Sequence, residues 1–230
     1  MVTFLAASSA PTPLYRIYQT SWHFSTTWLT LVFASYVFAL LLALLVTGSL
    51  SDYIGRRPVV AIAIVVEILS LLLFVVADGL VWVLAARILQ GLATGIVTSA
   101  LAAAMLDSDH HRGPVLASIA PLSGMGIGAL FAGLLVTYAP APMRMVYLVL
   151  IVLLVVMGTC LRRIPESVTP RPGVLAALRP RATIPPSVRG PLFRVVPAVV
   201  SSWALGASRF RWGPPSWRRS AVSTTRWWAA

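Results

Sequence analysis

Long apolar runs separated by short polar breaks organise the first 161 residues. Thr27–Thr47, Pro58–Ala77, Leu80–Leu106, Pro114–Tyr138 and Met143–Leu161 each reach or approach the roughly 20 residues a helix needs to cross a hydrocarbon core. Met1–Tyr18 is apolar too, but it is shorter and is broken by Pro11 and Pro13, which kink a helix. The pattern predicts six membrane helices and an all-α, polytopic membrane protein. A further apolar stretch at Phe193–Ala207 falls below spanning length.

Composition agrees with lipid as the main solvent. The chain is 58% hydrophobic and 10% charged, against about 25% charged in soluble domains. The formal charge of +12 would suggest a nucleic-acid partner, but its distribution argues against one. Residues 1–161 hold six Arg against five acidic residues, whereas residues 162–230 hold twelve Arg against Glu166 alone. The charge therefore belongs to the segment after the last full span, where positive residues mark the cytoplasmic side. Arg56, Arg57, Arg112, Arg162 and Arg163 fall in connections on one side by parity, with Arg144 and Arg16 opposite. This predicts a cytoplasmic N-terminus in a plasma (inner) membrane. No positive n-region precedes the first apolar run, so a start within the first helix is expected in place of a signal peptide. Cys160, the single cysteine, reads as a small apolar packing residue.

Between the second and third spans lies Gly48-Ser-Leu-Ser-Asp52-Tyr-Ile-Gly55-Arg56-Arg57. Gly48 would let two helix backbones approach, and Gly55 can adopt a positive φ. Asp52 can accept backbone N–H bonds or face a helix N-terminus. Arg56 and Arg57 would anchor at anionic headgroups. The spacing Gly-x-x-x-Asp-x-x-Gly-Arg-Arg resembles the signature loop of the major facilitator superfamily. Tyr53 stands where that family usually has a basic residue.

Arg87-Ile-Leu-Gln90-Gly91 lies about two turns into the fourth span. A charge there is costly unless it faces protein interior or a wet cavity; the alternative is that Arg87 snorkels to an interface. Arg87 and Gln90, three apart, share a helix face, and Gly91 and Gly95, four apart, suit close packing. Arg-x-x-Gln-Gly resembles the superfamily's fourth-helix motif, which implies proton-driven transport. Glu67, near the middle of the third span, is a candidate coupling carboxylate, or it pairs with a polar neighbour. The fifth span carries Pro121 and the Gly124/Gly128 pair, read as helix packing. It is a partial match to the Gly/Pro-rich helix of the family's antiporters, with Ala120 and Met125 departing from that pattern. Ala10-Pro-Thr-Pro-Leu-Tyr15 resembles the first helix of bacterial drug- and sugar-type members, which implies that Ser8, Ser9, Thr12 and Tyr15 face the substrate path. Asp107, Asp109, His110 and His111 read as a solvated loop with no metal site, and no cofactor or enzyme motif is present in the sequence.

The resemblance covers about residues 1–207 and implies two six-helix halves with the substrate between them. The expected organisation is a six-helix half at 1–161, a central cytoplasmic loop at 162–192 with a short helix near Val174–Leu178, a partial seventh helix at 193–207, and a disordered or out-of-frame tail at 208–230. The expected function is transmembrane transport of a small molecule by alternating access, coupled to protons. The partners would be the lipid bilayer and a homodimer partner or second half, with no nucleic acid. The alternatives are a non-functional truncated fragment, or a scaffold subunit pairing with another half.

Overall fold

The computed structural model describes residues 1–109, 111–163, 166, 190, 193–198 and 201. Its helices are α1 (Val2–Ser9), α2 (Tyr15–Trp22), α3 (Thr26–Thr47), α4 (Leu50–Ile54), α5 (Arg56–Val76), α6 (Leu80–Ser108), α7 (Gly113–Tyr138) and α8 (Pro142–Leu161). Among the described residues five of them, α3 and α5–α8, are long and apolar enough to cross a membrane, not the six expected: Met1–Tyr18 does not form one span, because its prolines divide it into the short helices α1 and α2. Each of the five agrees with its predicted span to within two residues at either end, because Gly, Pro or charge lies at every boundary except the start of α3.

The chain divides into two units, Met1–Arg181 and Ala182–Ala230. In the second, residues 193–198 are helical and exposed. The predicted helix near Val174, the tail at 208–230 and His110 lie outside the described residues.

In the first unit α6 is central, packed between α3 and α5, while α1 lies on α7 and α8 on α5. The outer surface is apolar: Phe38, Val81 and Leu130 are 72%, 77% and 72% exposed. Water would penalise such a surface and hydrocarbon does not, so close packing has to hold the helices together. Small residues provide it. A Cβ added at Gly95 would come 2.6 Å from both Ala43 Cβ and Leu40 O of α3, and one at Gly124 would come 2.6 Å from Val2 O of α1. At Gly128 it would overlap Ala6 of α1. The Gly124/Gly128 pair thus seats α1 on α7, as its spacing predicted. Pro121 lies inside α7, which continues as a helix through it.

Two ends of the bundle differ. At one, Tyr18 and Tyr147 join hydroxyls at 2.9 Å, Trp22 stacks on Tyr18 and Phe74 on Tyr147. At the other, the start of α5 and the ends of α6 and α8 bring Arg56, Asp107 and Arg162 together. Cys160 near this end is exposed on α8, so it faces outward and is not the packing residue its apolar setting suggested.

Candidate functional site

A polar cluster sits in the middle of this apolar bundle. Arg87 and Gln90 on α6 and Glu67 on α5 are 1%, 0% and 0% exposed. Arg87 therefore turns inward and does not snorkel. Its Nε donates to the Tyr15 hydroxyl at 2.5 Å, and its Nη1 donates to Ser8 O at 2.9 Å and to Gln90 Oε1 at 2.7 Å. The rings of Tyr15, Phe33 and Tyr36 surround the guanidinium at 5.4, 5.6 and 5.2 Å, a range in which ring faces attract a cation. Gln90 Nε2 donates to Ala7 O and to Glu67 Oε1, each at 3.1 Å. The amide is thereby oriented, with oxygen toward the cation and nitrogen toward the carboxyl. Arg87 and Glu67 are joined only through it. Glu67 Oε2 is buried with no hydrogen-bond partner among the described residues.

The two carbonyls in this cluster are supplied by the proline break. In a continuous helix Ala7 O would accept from residue 11, and Ser8 O from residue 12. Pro11 has no N–H, and Thr12 N donates to Ser9 O at 3.0 Å. Both carbonyls are released, and Gln90 and Arg87 bind them. The same break ends α1 and restarts the helix at Tyr15, whose hydroxyl then reaches Arg87. Tyr15 is 3% exposed, so it supports Arg87 where the sequence reading had it facing the substrate path. The Ser9 hydroxyl is likewise bound, to Ala6 O and Met125 O.

Pro11→Ala restores an N–H at residue 11. The new N–H would reclaim Ala7 O and take it from Gln90, leaving a buried donor short of an acceptor at about 1–3 kcal/mol. Lower thermal stability in detergent is expected. A gain approaching the roughly 3 kcal/mol that a proline costs a helix would mean that the break does not serve the cluster.

Gly91 is the closest backbone contact beside the cluster. A Cβ there would overlap Tyr36 O and lie 2.9 Å from Ala39 Cβ. This brings α3, with Phe33 and Tyr36, against Arg87.

The signature loop forms a second, separate polar cluster at the arginine-bearing end. It contains a short helix, α4. Gly48 caps α3, and among the described residues an added Cβ would meet only Leu44 O of α3 itself. It therefore approaches no second helix there. Gly55 has φ +99°, the conformation predicted for it. Arg56 and Arg57 lie in the first turn of α5, where the helix dipole disfavours cations. Carboxylates offset this. Arg56 Nη1 meets Asp52 Oδ1 at 2.6 Å and also the Ser51 hydroxyl, and Nη2 meets Asp107 Oδ2 at 3.1 Å. The backbone N–H groups of Arg56 and Arg57 donate to the two carboxylate oxygens of Glu166, at 2.8 and 2.9 Å. Asp52 thus holds Arg56 and, among the described residues, accepts no backbone N–H, and Arg56 is turned into the protein instead of toward headgroups. Its pairing carboxylates are about half exposed, so each pair contributes at most about 1 kcal/mol. Asp109 accepts the N–H groups of His111 and Arg112 at 2.8 and 2.9 Å, ordering the start of α7.

Sequence reasoning missed Asp107 and Glu166 as partners of this loop, and Phe33, Tyr36 and the Ala7 and Ser8 carbonyls around Arg87. Only the last had a local signal, a proline three or four residues downstream of each.

Apolar helices of spanning length around a buried polar cluster define an all-α polytopic membrane protein. A family model described as Major Facilitator Superfamily matches residues 1–221, nearly the whole chain. The chain belongs to this superfamily, and its activity is membrane transport. The match continues past residue 207 into the Arg- and Trp-rich segment. No curated protein matches the chain.

Proposed function

We propose that the chain moves a small molecule across the membrane by alternating access, coupled to protons that bind and leave at Glu67. The observation behind this reading is the Glu67 carboxyl group itself, fully buried between α5 and α6, with one oxygen bonded and the other unpartnered among the described residues. An intramembrane carboxylate of this kind is costly and is kept where a charge must be gained and lost. Adding a proton to Glu67 removes the anion that faces Arg87 across Gln90. That changes the electrostatic hold of α5 on α6 and, through Arg87 and Gln90, on the Ala7–Ser8 backbone. Protonation would in this way bias one packing of these helices over another. The Asp52–Arg56–Asp107 cluster would make and break with the same motion at the arginine-bearing end.

In this reading the unit at 1–161 works with a second six-helix unit, either a copy of itself or another half. It sits in a bacterial plasma (inner) membrane with the N-terminus and the arginine-bearing end in the cytoplasm.

Proteoliposomes loaded with a pH-sensitive dye test the proposal. A panel of sugars and of lipophilic cations is added, and lumenal pH is followed. The expected result is proton movement driven by at least one panel member in the wild type and at least about a hundredfold less in Glu67→Gln, which keeps the hydrogen bond from Gln90 but cannot carry the proton. Proton movement that persists unchanged in Glu67→Gln sinks the coupling role. A stable protein that moves nothing but co-purifies with another transporter subunit would instead assign it to a scaffold.

A further inference from the structure

A groove of about 560 Å³ runs between α5 and α8 on the outer surface of the bundle. It begins at Arg57 and Arg162 and extends along α5 to Ile68. The helical rise from Arg57 to Ile68, at about 1.5 Å per step, makes it about 16 Å deep, half the roughly 30 Å hydrocarbon thickness of a bilayer. The groove therefore spans a single leaflet. Its walls are aliphatic, with Val65 and Val155 58% and 48% exposed. Gly158 opens its floor: among the described residues an added Cβ would meet only Ile64 Cγ2, at 3.7 Å.

The mouth is polar and cationic. Arg57 Nη2 donates to Arg162 O at 3.1 Å, which fixes the two arginines beside each other, and the Arg162 side chain is exposed. Glu166 also lines the mouth, but its carboxylate oxygens are engaged by the Arg56 and Arg57 backbone N–H groups. Among the described residues two guanidinium groups against one carboxylate leave the mouth net positive.

We propose that this groove holds an anionic phospholipid, with one acyl chain between α5 and α8 and its phosphate against Arg57 and Arg162. The depth selects a lipid tail over a soluble ligand, and the charge at the mouth selects an anionic headgroup over a zwitterionic one. Basic pockets between membrane helices recognise lipid phosphates by this combination. The site is independent of Glu67 and of any transported substrate, so it stands or falls apart from the coupling mechanism.

The test is native mass spectrometry of the full chain in detergent, titrated with phosphatidylglycerol or with phosphatidylcholine of the same acyl chains. Phosphatidylglycerol carrying a photoreactive group on its acyl chain maps the location. Wild type is expected to retain phosphatidylglycerol roughly tenfold better than phosphatidylcholine and to crosslink on α5 and α8. Arg57→Gln with Arg162→Gln should bring the two lipids to parity. Gly158→Leu should fill the groove, weaken both lipids and move crosslinks off these helices. If Gly158→Leu does not fold, the wild-type crosslink map carries the same information. Equal retention of the two lipids by wild type, crosslinks away from α5 and α8, or an undiminished preference in the double variant would overturn the proposal. So would displacement of the lipid by inorganic phosphate alone, which would mark an anion site with no acyl component.

Discussion

Arg87→Ala is expected to destabilise the detergent-solubilised protein by roughly 3–5 kcal/mol, the usual result of removing one charged partner from a buried cluster. It is also expected to abolish proton-linked transport. The loss is large because Arg87 satisfies three groups from three helices at once: Ser8 O of α1, the Tyr15 hydroxyl of α2 and Gln90 of its own α6. Removing it leaves Ser8 O without the donor that replaced its helical partner, and empties a site enclosed by three aromatic rings. Arg87→Lys separates charge from geometry. An ammonium keeps the charge but cannot reproduce the planar fork, so it should recover only part of the stability. Chemical denaturation in detergent reads both variants. If Arg87→Ala unfolds within about 1 kcal/mol of wild type, the cluster is not what ties α1, α2 and α6 together.

Gly91→Leu is expected to cost about 3 kcal/mol or more, at or above the upper end for overpacked cores. The first atom added already overlaps Tyr36 O and crowds Ala39. The Tyr36 oxygen belongs to backbone and cannot rotate away, so α3 has to separate from α6. Phe33 and Tyr36 would then draw back from Arg87, and transport should fall together with stability. Gly126→Leu on α7 is the control. Among the described residues no other element lies within 4 Å of an added Cβ there, and removing a helical glycine should be neutral or gain up to about 1 kcal/mol. Thermal unfolding followed by circular dichroism compares the pair. Equal behaviour of the two variants would remove close α3–α6 packing as the explanation.

Much of the architecture could be read from the chain alone. Five spans were placed by length and hydropathy, while the sixth expected, Met1–Tyr18, is two short helices on either side of the Pro11 and Pro13 that were expected to kink it. The Gly124/Gly128 spacing announced a packing face, and its α1 partner appeared only with the fold. The signature loop and Arg-x-x-Gln-Gly indicated the superfamily to which the chain belongs. Arg87, Gln90 and Glu67 stood out because polar residues are scarce in apolar helices. Their neighbours did not stand out. Phe33 and Tyr36 lie on α3, which is apolar on every side, and a helix solvated by lipid carries no amphipathic signal to say which face turns inward. For α3 the face is chosen by where α6 has Gly91 and Gly95. Asp107 and Glu166 were similarly illegible as partners of Arg56 and its neighbouring amides, since they lie 51 and 110 residues away in sequence.

Composition, length and local motifs were enough to establish that this chain spans a membrane, where five of its helices run, which family they resemble and which three polar side chains stand out within them. Each of those conclusions depends on a residue and its near neighbours. Three features exist only in the folded molecule: Arg87 turns inward, Gln90 stands between it and Glu67, and the Ala7 and Ser8 carbonyls complete the site. The physical reason is that a buried charge is stable only where acceptors converge on it, and here they come from helices more than seventy residues apart.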